Sequence, residues 1–457
     1  MNQSRIATVS PARTIRGELR LPGDKSISHR YALLAAIAEG RTRIENFAPG
    51  ADCRNTVDCV QALGREVSFV SGSERGSTAV ASRIPQAEAL LPPNSAKTDT
   101  VEISGLGAML CAPATALDCG NSGSTMRMLS GILAGQNFSA ELRGDASLSR
   151  RPMGRIIEPL TAMGARISAR NGNHPPLRIA GGNLKALDYK LPVASAQVKS
   201  AVLFAGLFAA GETWVEEPVQ TRDHGEIALQ AFGARVIRRK NRAGITGGQK
   251  LSAIETRVPG DISSAAFFLC AAALFPGAEL VIHELLLNPT RVALLDALRA
   301  MGLRIAVLDL AERAGELVGS IRVEGGELRG TVISGAQSAA LIDELPVLAA
   351  ISPYTSDGIE IRDARELRSK ESDRIAIVAK NLRAMGAEVE EREDGLRIRG
   401  QQEMHGAEID SAGDHRIAMA FAVAALRARS DTLIKDADVV KVSYPTFFHE
   451  LQRLTES

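Results

Sequence analysis

Apolar positions along the chain fall into two alternating arrangements. The first starts on a polar, often Gly-containing turn and enters a helix of small apolar residues. Its copies are GDKSISHRYALLAAI from Gly23, GNSGSTMRMLSGILAG from Gly120, ASAQVKSAVLFAGLFA from Ala194, GDISSAAFFLCAAALF from Gly260, LIDELPVLAAIS from Leu341 and GDHRIAMAFAVAAL from Gly413. Such helices are apolar nearly all round, which predicts burial on every face. The second arrangement is amphipathic: CRNTVDCVQALGREV, RIIEPLTAMGARI, DHGEIALQAFGARV, TRVALLDALRAMGLRI, DRIAIVAKNLRAMGAEV and the less complete TFFHELQRL. Leu, Met and Ala recur there at steps of three and four, the helical period. The Gly that follows most copies predicts a C-cap.

The two series alternate six times in register, at a period of roughly 70 residues. Short β-rich stretches separate them, among them ELRLP, TRIENF, ELVIHE, GIEIRD and DTLIKD. The unit predicted is strand, buried helix, strand, amphipathic helix, strand. Three units per domain give an α/β protein of two similar domains. One segment breaks the period: residues 70–100, rich in Ser, Ala, Pro and Gly, are expected to be a mobile surface insertion without chemistry.

A length of 457 residues agrees with two domains rather than one core. The net charge of +1 provides no global field for nucleic acid or an anionic membrane, so any anion must be held by local clusters. The cysteines, Cys53, Cys59, Cys111, Cys119 and Cys270, are odd in number and lack CxxC spacing. Free thiols in a reducing compartment are expected, not disulfides or a zinc site. The first residues carry no apolar signal core, and the apolar runs are too short to span a bilayer. A soluble cytoplasmic protein is expected.

Local clusters are present. In LPGDKSISHR, Pro22, Gly23 and Asp24 form a turn and a helix begins near Ser26. Free backbone N–H groups, the helix dipole, Lys25, the Ser26 hydroxyl and Arg30 then suit a phosphate or carboxylate. Ser26 and Arg30 are four apart and share a helix face. The helix starts at Asn121, Ser122, Gly123, Ser124 and Arg127, at Ser195, Gln197 and Lys199, and at Gly413, Asp414, His415 and Arg416 are similarly equipped. Asp343 and Glu344 open another. Arg150, Arg151 and Arg155 form one more cluster; Arg368, Lys370 and Arg374 lie among Glu366, Glu371 and Asp373; Thr221, Arg222, Asp223 and His224 start a second-series helix. Taken singly, the Lys25 cluster reads equally well as a capped, solvated helix end, and the Arg150, Arg368 and Thr221 clusters read better as solvated, salt-bridged helix ends than as ligand sites. Convergence of several on one face would suit substrates with more than one anionic group.

The ordered motifs PGDKSISHR, DCGNSGSTMR, GDASLSRRPMGR, VASAQVKSA, PVQTRDHGE, VPGDISSAAFF, NPTR, IDELPVLA, ELRSKESDR and GDHRIAMA span nearly the whole chain. Together they resemble the 5-enolpyruvylshikimate-3-phosphate synthases, and within them the bacterial class II branch. The resemblance implies an inside-out α/β barrel in each domain, the enolpyruvyl transferase fold. It assigns residues 21–257 to an N-terminal domain, and residues 1–20 plus 258–457 to a C-terminal one. It implies transfer of the enolpyruvyl group of phosphoenolpyruvate to the 5-hydroxyl of shikimate 3-phosphate through a tetrahedral intermediate, without metal or organic cofactor, by a monomer of the aromatic amino-acid pathway.

Carried over residue by residue, Lys25, Ser26, Arg30, Ser195, Ala196, Gln197, Arg222, Asp343 and Lys370 match positions that hold shikimate 3-phosphate. Lys25, Gly123, Arg151, Gln197, Arg374 and Arg416 match positions around phosphoenolpyruvate. Asp343 is the expected base toward the 5-hydroxyl, and Lys25 and Glu371 are expected to move protons at phosphoenolpyruvate. Glyphosate is expected to inhibit, because Gly123 leaves the room that Ala removes in insensitive relatives. Two features depart from the family: the 70–100 insertion, and Lys441, displaced by one position from a lysine that some members direct at phosphoenolpyruvate. The related enzyme acting on UDP-N-acetylglucosamine carries a reactive Cys in the loop matching Gly144 to Gly154, which here has none. A non-catalytic anion-binding protein of the same fold is a further alternative, set against the presence of Lys25, Asp343 and Glu371.

Overall fold

The chain folds as an α/β protein. The computed structural model describes residues 6–70 and 99–456. The expected insertion lies outside the described residues apart from its ends, where Val70 pairs with Thr100 in an antiparallel ladder. In chain order the described helices are α1 (Lys25–Ile37), α2 (Ala51–Ala62), α3 (Gly123–Ala134), α4 (Gly154–Ala162), α5 (Ala196–Gly206), α6 (His224–Ala231), α7 (Ile262–Ala273), α8 (Ala293–Ala300), α9 (Ala336–Ala340), α10 (Leu345–Ile351), α11 (Arg374–Ala384), α12 (His415–Ala425) and α13 (Phe447–Thr455).

The first series becomes α1, α3, α5, α7, α10 and α12. Their small residues permit close packing: a Cβ on Gly131 of α3 would lie 2.1 Å from the carbonyl oxygen of Ala201 in α5. Every residue of α7 and of α12 is buried. The second series becomes α2, α4, α6, α8, α11 and α13. Here α8 buries Leu294, Leu295, Ala297 and Leu298 and shows its other face to solvent. Gly64, Gly164, Gly233, Gly302 and Gly386 follow these helices with φ between +86° and +112°, a turn that a side chain would strain.

Most sheets have four strands, one more than the predicted unit supplies. Each is built around a central strand with an antiparallel hairpin on one side and a parallel strand on the other. In one, Leu117–Asp118 runs parallel to Ser139–Arg143, which pairs antiparallel with His174–Ala180. The leading strands of two units are exchanged. Arg16–Arg20 precedes α1 but pairs with Glu279–Leu286, whereas Glu255–Arg257 precedes α7 but pairs with Glu39–Phe47. The first strand, Ala7–Val9, pairs with Thr432–Ile434 near the other end of the chain.

The two passages between these sheets lie side by side. Asp24 N–H donates to Pro259 O at 2.8 Å, and Asp261 N–H donates to Pro22 O at 2.9 Å. Near the C-terminus, Phe267 and Phe268 of α7 stack edgewise or tilted on Phe447 at 5.7 Å, with Tyr444 beside them. Burying one such ring contributes roughly 1.5–3 kcal/mol. Among the described residues no helix is long and apolar enough to cross a membrane, no group of residues could hold a metal ion, and all five cysteines are free.

Candidate active site

Five of the six buried helices start on a side-chain cap. Asp24, Ser122, Ser195, Asp261 and Asp414 each accept from backbone N–H groups of the first turn. Their remaining N–H groups and dipoles favour anions at those ends. At the sixth, α10, neither Asp343 nor Glu344 caps the helix. Asp343 is instead surrounded by cations. Arg222 Nη2 donates to its Oδ2 at 2.6 Å, while Lys370 Nζ and Arg374 Nη1 stand 3.6 and 3.7 Å from Oδ1. Arg416 Nη1 donates to the Asp343 carbonyl at 2.9 Å. Burial alone would raise the carboxyl's pKa, but Lys370, Arg222, Arg416 and Arg374 outweigh it and hold it well below the usual carboxylate range.

Glu371 occupies a similar position. Arg374 Nη2 donates to its Oε2 at 2.6 Å, and Arg151 Nη1 lies 3.5 Å from Oε1. These guanidiniums outweigh burial and hold Glu371 well below its ordinary range too, with His415 and Lys25 contributing. Arg374, only 1% exposed, is fixed by the α12 cap: its Nε and Nη2 donate to Asp414 at 2.8 and 3.2 Å. Its Nη1 is buried without a hydrogen-bond partner. Burial brings His415 down to about 4, so it is neutral at physiological pH.

On the other side, Arg30 spans α1 and α5. Its Nε and Nη2 donate to Ser200 Oγ at 3.2 and 3.0 Å, and Nη1 donates to Ser26 O at 2.9 Å. Arg127 Nη1 donates to Gln197 Oε1 at 2.8 Å, while Gln197 Nε2 donates to Ser124 Oγ at 2.8 Å. Arg151 Nη2 donates to Asn121 Oδ1 at 2.6 Å. Burial lowers Arg30 to about 10, and burial with Arg151 and Arg155 nearby lowers Arg127 to about 10. Both remain cations at neutral pH, and both would gain from an added anion. Lys25 Nζ, 3.0 Å from Asp52 Oδ2, is kept charged by that carboxylate against the opposing effect of burial.

The residues expected from sequence are therefore brought together. Lys25, Ser26, Arg30, Ser195, Ala196, Gln197, Gly123 and Arg151 lie on the α1, α3 and α5 side; Asp343, Lys370, Glu371, Arg374 and Arg416 lie opposite. Arg222–Asp343, Arg151–Glu371, Arg155 Nη1 to Glu366 Oε1 at 3.2 Å and Ser147 Oγ to Glu371 O at 3.3 Å bridge the two sides. Lys441 is set apart: 57% exposed, it pairs with Asp438 at 3.0 Å. Sequence reasoning assigned no role to Asp52, Ser200 or Asp414 as partners of Lys25, Arg30 and Arg374. No periodicity links Lys25 to Asp52. Arg127, named from sequence in the Gly-rich helix start at Asn121–Ser124, is joined to Gln197.

The family model described as EPSP synthase (3-phosphoshikimate 1-carboxyvinyltransferase) matches residues 9–92 and 90–451. The chain belongs to this family. It is 57% identical to the 3-phosphoshikimate 1-carboxyvinyltransferase of Koribacter versatilis over 98% of this chain and 99% of that protein. With the enzyme of the same name from Solibacter usitatus the identity is 52%, again over 98% and 99%. The EPSP synthase structure from Acinetobacter baumannii superposes with a TM-score of 0.83 at 38% identity, covering 99% of this chain and 98% of that one. Membership gives a chemical meaning to the convergence of cations on two carboxylates.

Proposed function

We propose that this chain catalyses attack of the 5-hydroxyl of shikimate 3-phosphate on C2 of phosphoenolpyruvate, with loss of phosphate from a tetrahedral intermediate. The observation that carries the reading is the arrangement around Asp343 and Glu371: two ionised carboxylates embedded in guanidinium and ammonium groups. Lys25, Arg30, Arg127, Arg151, Arg222, Lys370, Arg374 and Arg416 outnumber Asp52, Asp343, Glu371 and Asp414 at this centre. The excess of positive charge is what two substrates, each with a phosphate and a carboxylate, would neutralise.

Asp343 accepts the proton of the attacking hydroxyl, and Glu371 with Lys25 handles the proton exchanged at C3 of phosphoenolpyruvate. Binding of the two anionic substrates neutralises the cations that depress Asp343. Its basicity then rises at the stage when a base is needed. Lys25, Ser26, Arg30, Ser195, Ala196, Gln197, Arg222, Asp343 and Lys370 hold shikimate 3-phosphate; Lys25, Gly123, Arg151, Gln197, Arg374 and Arg416 hold phosphoenolpyruvate. The reading divides the chain into an N-terminal domain, residues 21–257, and a C-terminal domain, residues 1–20 plus 258–457. Each is an inside-out barrel of three repeats, and the enzyme works as a cytoplasmic monomer. Glyphosate competes with phosphoenolpyruvate beside Gly123. Phosphate release that requires both substrates together tests the activity; release from phosphoenolpyruvate alone would overturn the transfer.

A further inference from the structure

Arg222 lies on the segment between strand Glu212–Glu216 and α6, and this segment is gripped from two directions. From its own side, Lys199 Nζ sits 2.8 Å from both Glu217 Oε2 and Glu226 Oε1, all three side chains being almost fully buried. Glu217 in turn accepts from the Thr221 hydroxyl and, at 3.4 Å, from the Thr221 N–H. This fixes the residue before Arg222.

From the opposite side comes the segment after strand Glu279–Leu286. Asn288 is 2% exposed, and its Nδ2 donates both to Asp223 Oδ1 and to Glu316 Oε2 at 2.8 Å. Thr290 Oγ1 adds a longer contact to the same Asp223 oxygen at 3.4 Å, and Arg238 pairs with the other. Glu316 Oε1 lies 2.7 Å from His224 Nδ1, a pair with essentially no exposure. The two residues following Arg222 are thus tied to this segment and to Glu316: Asp223 through the Asn288 amide and, more weakly, Thr290, and His224 through Glu316, which the same amide also holds.

We propose that Asn288 is a positioning residue: by holding Asp223 and Glu316 together it sets the Arg222 guanidinium where it meets Asp343 and, in the complex, shikimate 3-phosphate. The geometry favours this over a purely structural role. A single amide nitrogen satisfies two buried carboxylates, one adjacent to Arg222 in sequence and the other bound to the next side chain along. Loss of the amide leaves both carboxylates short of a donor, and the shortest way to relieve Asp223 is to shift the turn that carries Arg222.

The proposal rests on the assignment of Arg222 to shikimate 3-phosphate, so the test separates the two. Steady-state constants are measured for the full chain as wild type, Arg222→Ala, Asn288→Ala and the double variant, with thermal unfolding to establish that each is folded. If Asn288→Ala does not fold, Asp223→Asn, which preserves side-chain size, takes its place in the same cycle. Asn288→Ala is expected to raise KM for shikimate 3-phosphate about tenfold and to change KM for phosphoenolpyruvate less than about twofold. In the Arg222→Ala background the same change should cost less than about twofold more, because the positioned group is gone. An equal, additive loss in both backgrounds would overturn the positioning role while leaving Arg222 in the site. An unchanged KM in Arg222→Ala alone would overturn the assignment of Arg222 and this proposal with it.

Discussion

Replacing Asp343 with Asn removes one negative charge from a point contacted by Arg222 at 2.6 Å, Lys370 at 3.6 Å and Arg374 at 3.7 Å. The amide keeps the shape and one acceptor oxygen but cannot take a proton from the 5-hydroxyl. General base catalysis contributes about 10²–10⁴ in rate, so kcat should fall by that factor, about 3–5 kcal/mol of barrier. KM for shikimate 3-phosphate should not rise in proportion. The substitution frees Arg222 and Lys370 from their internal partner and leaves the centre more attractive to anions. Continuous measurement of phosphate release gives both constants, and single-turnover quenching shows whether the tetrahedral intermediate still forms. An Asp343→Asn enzyme that keeps more than about a tenth of wild-type kcat would refute the assignment of Asp343 as base.

Other expectations concern different parts of the centre. A Cβ at position 123 would stand 2.9 Å from Arg127 Nη1 and 3.4 Å from Arg151 Nη1. The guanidinium ends of Arg127 and Arg151 must give way to that methyl, which narrows the space beside position 123, so Gly123→Ala should weaken glyphosate inhibition about tenfold or more; equal inhibition of both enzymes would count against glyphosate binding at this point. Asp343 and Glu371 are held below their ordinary values of 3.8 and 4.5, so the folded protein binds fewer protons than the unfolded chain. The stability they contribute is complete above those values and is lost as pH falls below them. Thermal unfolding followed from about pH 6 to about pH 3 should show a steeper loss for wild type than for Glu371→Gln, and parallel curves would contradict the ion pairing. Carbon NMR of the Asp343 carboxyl should show its pKa rising when both anionic substrates bind, and a further fall would exclude it as the base. Lys441, exposed and paired with Asp438, should tolerate Ala with less than about a twofold change in KM for phosphoenolpyruvate; a loss of tenfold would return it to the site.

The helical part of this fold is readable because its two series differ in burial. Ala-rich α7 and α12 have no polar face, whereas α8 keeps Asp296 and Arg299 outward, and Gly302 after it needs the positive φ. The pattern misses α9, only five residues long. Asp343 and Glu344 stand at the start of α10 as the pattern has them, and Pro346 falls inside the first turn, where no N–H is needed. The additional strand in most sheets escapes notice because hairpins such as Val389–Arg392 with Gly395–Ile398 are short and charged. The exchange of Arg16–Arg20 and Glu255–Arg257 between sheets leaves no local trace, since parallel partners are chosen by the returning chain and not by neighbours in sequence.

Within the site, positively charged residues at helix starts were legible from the repeated turn, as with Lys25 and Arg416. Their carboxylate partners were not. Asp52 reaches Lys25 from α2, and Asp414 grips Arg374 from α12, 40 residues away. Such pairs follow from how the helices converge. Asn288 is a stronger case, for it bears no charge and lies in a short turn, yet it joins two buried carboxylates.

The most direct test of the central claim is product analysis. Purified protein is incubated with shikimate 3-phosphate and phosphoenolpyruvate, and the mixture is followed by phosphorus and proton NMR. The account predicts one inorganic phosphate for each enolpyruvyl ether formed at the 5-oxygen, and none with either substrate alone. No ether with shikimate 3-phosphate, or an ether formed only with UDP-N-acetylglucosamine, would contradict it.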